Sequence, residues 1–159
     1  MNLRKSGGFS LIELLASAAI IGILASVAVP VVQTTMRREK ERELRQALRD
    51  IRRGIDAYKL AAAGGHIELK TGDSGYPPSL TSLVTGVPDA LNKTGPRQYF
   101  LRRLPRDPFF ADRKAAAADT WGQRRYDSPP DAPQAGVDVF DVYSLSNESG
   151  LNGVPYAEW

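Results

Sequence analysis

The sequence predicts an α+β fold: a long N-terminal α-helix, with a transmembrane half and an amphipathic half, packed on a small antiparallel β-sheet. Residues 14–32 form an uncharged run of 19 residues, about the length that crosses a bilayer core as a helix. Apolar residues then recur at helical spacing up to residue 62, and short segments rich in Val, Phe and Tyr follow near the C-terminus. The 159 residues contain no cysteine, so packing must hold the fold together.

The first element is an apolar segment over residues 9–32, preceded by a basic leader over residues 1–8. Three ordinary explanations are a secretory signal peptide cut near Ala28, an uncleaved signal anchor and a buried core helix. Glu13 distinguishes among them, because a carboxylate near the centre of a membrane costs about 2 to 3.5 kcal/mol and calls for a cationic partner. Arg4 and Lys5 are eight or nine residues away, so a positive group from another molecule is expected.

The junction SGG-FSLIELL resembles the processing site of type IV pilins and type II secretion pseudopilins. The resemblance implies that a prepilin peptidase cuts between Gly8 and Phe9 and that the new α-amine of Phe9 is N-methylated. It also implies that this ammonium neutralises Glu13 of a neighbouring copy in a helical, homo-oligomeric filament. Gly8 and Phe9 are therefore predicted processing residues, and Phe9 and Glu13 predicted assembly residues.

Gly22 and Pro30 predict a weak stretch in this helix. A proline inside a helix removes one hydrogen bond and crowds the preceding turn, at a cost of about 3 kcal/mol. In the family it resembles, filament packing is associated with melting between the corresponding glycine and proline, which makes residues 22–30 a predicted extensible segment. A simple kink at Pro30 is the alternative.

The helix is expected to continue through an amphipathic half over residues 33–65. Its apolar stripe advances by four and three residues in turn, and Gly64-Gly65 provides a stop. The stripe consists of Leu44, Leu48, Ile51, Ile55, Tyr58 and Ala62. One helix from Leu11 to Ala63, about 80 Å long, is predicted.

Positive charge is concentrated in this half, which contains nine Lys and Arg and five Asp and Glu residues. The whole chain has a net charge of +3. The arginines are Arg37, Arg38, Arg42, Arg45, Arg49, Arg52 and Arg53. Acids are interleaved with them, and Glu41 lies four residues before Arg45 in the favourable orientation for a surface pair. A solvated or intersubunit face is expected, with anionic lipid as an alternative, and no nucleic acid.

Residues 66–159, called the head below, carry a series of motifs that resembles the major, G-type pseudopilins of type II secretion. The motifs are GYPPSLTSLV, YFLRRLPRDP, Trp121-Gly122 and VDVFDVYSLS. In the first, Leu80, Leu83 and Val84 are expected to bury one face of a short helix. The last two are expected to form antiparallel strands. The segment FFADRKAAAADT departs from the family and is expected to be a surface loop with one helical turn over residues 115–118.

The resemblance implies a type IV pilin-like, non-enzymatic structural subunit of a periplasmic pseudopilus that works as a piston or screw in type II secretion. A type IV pilus pilin is the alternative. Implied partners are minor pseudopilins, prepilin peptidase, an inner-membrane platform, an assembly ATPase and membrane lipid. The implied location is the inner membrane, with a single pass and a periplasmic head, although the basic residues after the apolar run favour the opposite orientation.

Calcium is one expectation for the loop after the last strand, because the resembled family binds Ca²⁺ there through carboxylates and backbone carbonyls. The matching residues are Leu145, Glu148 and Asn152. Several of the family's acids are missing here, while Ca²⁺ requires about six to eight oxygens. The alternative is a loop held by packing of Tyr156 and Trp159.

A hydrolase is the opposing class of function. His66, the single histidine, could serve Ser74 or Ser79 together with Asp73. The sequence has neither a nucleophile elbow nor a glycine-rich phosphate loop around these residues. We therefore expect no catalytic site.

Overall fold

A computed structural model describes residues 10–159, except for the side chains of residues 27–29. The elements are helices α1 (Leu11–Ala63) and α2 (Ser82–Thr85), strands β1 (Trp121–Arg124) and β2 (Asp141–Ser144), and 3₁₀ turns at Ala117–Thr120 and Tyr156–Glu158. The chain divides into two compact units, Met1–Glu39 and Lys40–Trp159, and α1 contributes residues to both. This architecture confirms the predicted α+β fold.

Helix α1 has the predicted bounds and contains Pro30. It ends where the sequence placed its stop, because Gly65 adopts a left-handed φ of +78° that an L side chain disfavours. The His66 N–H then bonds to the Ala61 carbonyl at 2.9 Å, and the Gly65 N–H to the Ala62 carbonyl at 3.1 Å. This pair of bonds satisfies carbonyls that would otherwise be free at the helix end.

The core of the second unit is built on the predicted stripe of α1. All six stripe residues are at most 6% exposed. They join one cluster with Leu80 and Leu83 from the GYPPSLTSLV segment and with Trp121 and Val142 from the two strands. The expected burial of Leu80 and Leu83 is confirmed, and Val84 is half-buried.

Strands β1 and β2 pair antiparallel, with Trp121 opposite Ser144 and Arg124 opposite Asp141. Val142 and Ser144 on alternate positions of β2 are fully buried, as expected for a strand with one face on the core. Among the described residues the sheet has two strands, so the loops of the head provide much of the remaining packing.

The segment over residues 109–120 is anchored at both ends. Residues 111–114 are exposed, as predicted, but Thr120 is fully buried and the Phe109 ring stacks on Tyr156 with centroids 4.1 Å apart. The Arg106 guanidinium donates hydrogen bonds to the carbonyls of Ala115 and Asp112. The helical turn is a 3₁₀ turn at Ala117–Thr120, two residues later than predicted, because the Thr120 hydroxyl bonds back to the Ala117 carbonyl at 2.7 Å.

Candidate assembly segment and the motif contacts of the head

Glu13 lies in the first turn of α1 and is exposed. Its N–H donates to the Ser10 carbonyl at 3.0 Å, and its carbonyl accepts the Ser17 hydroxyl at 2.7 Å. A carboxylate at this end of a helix is favoured by the helix dipole. Gly8 and Phe9 lie outside the described residues, so the pairing of Glu13 with a Phe9 ammonium stays a prediction.

The apolar surface around Glu13 is uncovered in the first unit. Its most apolar 18-residue window has a mean hydropathy of 2.4, which is sufficient in length and composition for a membrane span. Ten Leu, Ile and Val side chains described up to residue 32 are each more than half exposed: Leu11, Ile12, Leu14, Leu15, Ile20, Ile21, Ile23, Leu24, Val31 and Val32. A helix that is apolar on all sides requires lipid or other helices as its surroundings.

Gly22 and Pro30 both lie within continuous helix. A Cβ at Gly22 would have no neighbour within 4 Å, so this glycine is not required by packing inside the chain. After the proline, the Thr34 hydroxyl bonds the Pro30 carbonyl at 2.8 Å, and Thr35 bonds the Val31 carbonyl at 2.9 Å. Such back-bonding is common where helices bend. Extension over residues 22–30 stays a prediction.

Three of the four head motifs, all except GYPPSLTSLV, meet around the buried carboxylate of Asp107, which is 3% exposed. One oxygen accepts the Ser144 hydroxyl at 2.5 Å and the other accepts the Phe109 N–H at 2.8 Å. The Asp107 N–H donates to the Thr120 hydroxyl at 3.1 Å, and the Trp121 indole donates to the Pro105 carbonyl at 2.9 Å. The sequence identified these motifs one by one, and the structure shows that they form a single network.

Two glycines permit close approaches that sequence reasoning missed. A Cβ at Gly122 would overlap the ring of Tyr143, the residue opposite it on β2. A Cβ at Gly54 on α1 would lie 2.9 Å from Leu101. Gly122 belongs to a motif that the sequence shows. Gly54 lies within a regular helical pattern, and nothing in the sequence around it indicates a close contact.

Two residues of the arginine-rich face of α1, Arg45 and Arg52, make contacts within the second unit. Arg52 donates to Asp141 at 2.8 Å and to the Val142 carbonyl at 3.1 Å, and Arg45 lies 4.1 Å from the centroid of the Trp159 ring. The expected surface pair between Glu41 and Arg45 is wrong, because Glu41 is 5% exposed. Its carboxylate accepts hydrogen bonds from the Leu151 N–H and the Tyr156 hydroxyl. Helical periodicity places both residues on α1 but does not show which loops cover them.

Two oxygens of the residues predicted to bind calcium accept hydrogen bonds within the loop itself. Leu145 and Glu148 are exposed, the Glu148 carbonyl accepts the Tyr156 N–H at 3.0 Å, and the Asn152 side-chain oxygen accepts the Val154 N–H at 3.1 Å. Over residues 10–159, no group of three or more His, Cys, Asp and Glu side chains could hold a metal. Calcium binding at these residues stays a prediction, and the contact between the Tyr156 and Trp159 rings that the alternative expects is present, with centroids 5.0 Å apart.

His66 is directed to Asp89, with Nδ1 3.1 Å from its carboxylate, and not to Asp73. Ser74 donates its hydroxyl to Asp138, so the hypothetical triad is not assembled. Desolvation acts to raise the pKa of Asp89. Hydrogen bonds from the Leu91 N–H, from Gln98 and from His66 outweigh desolvation and hold that pKa below its ordinary value.

Comparison with known proteins agrees with the motifs. Residues 3–29 match the family model of the prokaryotic N-terminal methylation motif. The type II secretion system core protein G of Vibrio cholerae is 30% identical over 162 aligned residues, covering 99% of this chain and 94% of that protein. The chain belongs to the core protein G family. Core proteins G of Klebsiella pneumoniae and Pseudomonas aeruginosa are 27% identical, each covering 96% of the chain and 90% and 92% of the relative. No solved structure matches.

Membership of the core protein G family confirms the resemblance drawn from the SGG-FSLIELL junction and the head motifs. It favours the secretion interpretation over the pilus alternative. The methylation motif and the uncovered apolar part of α1 together fit a membrane-anchored subunit.

Proposed function

We propose that this core protein G is a structural subunit of a pseudopilus, a filament that works as a piston or screw in type II protein secretion. The observation that carries the proposal is the exposed Glu13 in the first turn of a helix whose apolar surface has no cover within its own unit. Lipid covers such a surface before assembly, and the helices of other copies of the chain cover it after assembly.

Peptidase cleavage between Gly8 and Phe9 creates an ammonium on Phe9, and the Glu13 carboxylate of a neighbouring copy accepts it. Desolvation offsets much of the attraction between two charges brought into an apolar environment. The pair therefore fixes the register between copies more than it adds bulk stability. A copy that is out of register leaves a carboxylate unpaired in an apolar setting, which is costly.

The head lies in the periplasm in this proposal, with the basic half of α1 on the periplasmic side of the membrane. The partners are minor pseudopilins, prepilin peptidase, an inner-membrane platform and an assembly ATPase. No catalytic role is proposed for the chain, and His66, the residue considered for one, lies against Asp89.

Glu13→Leu tests the proposal. We expect the variant to insert into the membrane normally and to lose filament assembly and exoprotein export. Glu68→Leu removes another exposed carboxylate, one that lies in the head, and should assemble normally. Normal filaments from Glu13→Leu would contradict the proposed role, and lost twitching with intact export would favour the pilus alternative.

A further inference from the structure

Glu41 is a buried carboxylate that the assembly function does not use. It lies on α1 within the second unit and is 5% exposed. Its Oε1 accepts the Leu151 N–H at 2.7 Å and the Tyr156 hydroxyl at 3.1 Å. Burying a carboxylate is costly unless donors replace its water, and these two donors both come from the C-terminal segment over residues 145–159.

The part of the segment that reaches Glu41 is a tight hairpin. The Gly150 N–H bonds the Val154 carbonyl at 2.8 Å, and Ser149 and Pro155 form an isolated antiparallel bridge. A Cβ at Gly150 would lie 2.6 Å from the Asn152 side-chain oxygen and would overlap the Trp159 ring. The hairpin therefore presents the Leu151 N–H to α1, while its Gly150 and Val154 carbonyls accept hydrogen bonds within the hairpin.

Aromatic rings hold the segment on the other side of Tyr156. The Tyr156 side chain is fully buried, stacks on Phe109 and meets the Trp159 ring nearly at right angles, with centroids 5.0 Å apart. Arg45, one turn along α1 from Glu41, covers the Trp159 ring. The segment is thus fixed to α1 at two points, by a carboxylate and by an arginine.

We propose that the Glu41 carboxylate, and not a bound divalent cation, holds the C-terminal segment of this chain against α1. A Ca²⁺ site offers converging oxygens, whereas this segment offers an N–H and an O–H to an anion that α1 supplies. The oxygen of Asn152 and the carbonyl of Glu148 accept hydrogen bonds from Val154 and Tyr156. Closure of the segment is accordingly independent of calcium.

Amide hydrogen exchange of the full-length protein in detergent tests this proposal, read over residues 148–156 in calcium chloride and in EGTA. The wild type should be equally protected in both. Glu41→Ala should accelerate exchange of the Leu151 amide about tenfold to a hundredfold in both, because a hydrogen bond to a charged acceptor is lost. Glu43→Ala, an exposed glutamate two residues along α1, is the matched control and should exchange as the wild type.

Glu41→Gln keeps an oxygen at the same place and should retain most of the protection, which separates loss of the acceptor from a general folding defect. If Glu41→Ala does not fold, the comparison of the wild type in calcium chloride and in EGTA still shows whether protection of the segment depends on calcium. Protection of the wild type that appears only with calcium, or unchanged protection in a folded Glu41→Ala variant, would overturn the proposal.

Discussion

Replacing Asp107 by alanine is expected to destabilise the second unit strongly. The carboxylate is buried and accepts one hydrogen bond on each oxygen, at 2.5 Å from Ser144 and 2.8 Å from the Phe109 N–H. A hydrogen bond to a charged group contributes about 1.5 to 3 kcal/mol, so the two together contribute about 3 to 6 kcal/mol. The variant also leaves the fully buried Ser144 hydroxyl without this acceptor.

Urea unfolding of the full-length protein in detergent, followed by tryptophan fluorescence, measures this loss, since Trp121 is adjacent to the network. Asp131→Ala removes an exposed aspartate and serves as the control. Combining Asp107→Ala with Ser144→Ala should give a coupling free energy of about 0.5 to 3 kcal/mol. A loss within about 0.5 kcal/mol of the control, as is usual for surface substitutions, would show that the Asp107 carboxylate does not stabilise the fold. Strictly additive effects would show that Asp107 and Ser144 are not coupled.

Two further predictions concern the glycine at the sheet and the carboxylate beside His66. Gly122→Ala forces the Tyr143 ring to move and should lower the free energy of unfolding in urea by about 1 to 3 kcal/mol. Gly72 has a left-handed backbone but open space around it, so Gly72→Ala measures the cost of backbone strain in the absence of a steric overlap. Because the pKa of Asp89 is depressed, its contribution to stability is present above the ordinary value of about 3.9 and is lost as pH falls through the lower folded value. In Asp89→Asn, the thermal midpoint should therefore fall less steeply as the pH is lowered than in the wild type. An unchanged pH dependence would contradict the proposed contribution of the Asp89 carboxylate to stability.

The long helix was predictable because its signals are local. Apolar spacing from Leu44 to Ala62 defines one face whatever packs against it, and Gly65 supplies a left-handed stop. The strands were predictable in position from their β-forming residues and turn-rich boundaries, and their pairing followed from the few partners available.

Contacts between distant segments were not predictable in the same way. Glu41 resembles a surface residue in sequence, because its burial depends on a loop 110 residues later. Gly54 matters only because Leu101 lies against it. The family resemblance identified Asp107 and Ser144 as motif residues, but their hydrogen bond depends on the register of β2 relative to the segment before β1.

Mass spectrometry of the protein purified from assembled filaments tests whether the mature chain can present a Phe9 ammonium to Glu13. We expect a chain that begins at Phe9 and carries one methyl group on its α-amine. A chain that retains residues 1–8 in functional filaments, or one that starts after Ala28, would contradict it, because neither could present the Phe9 ammonium to Glu13.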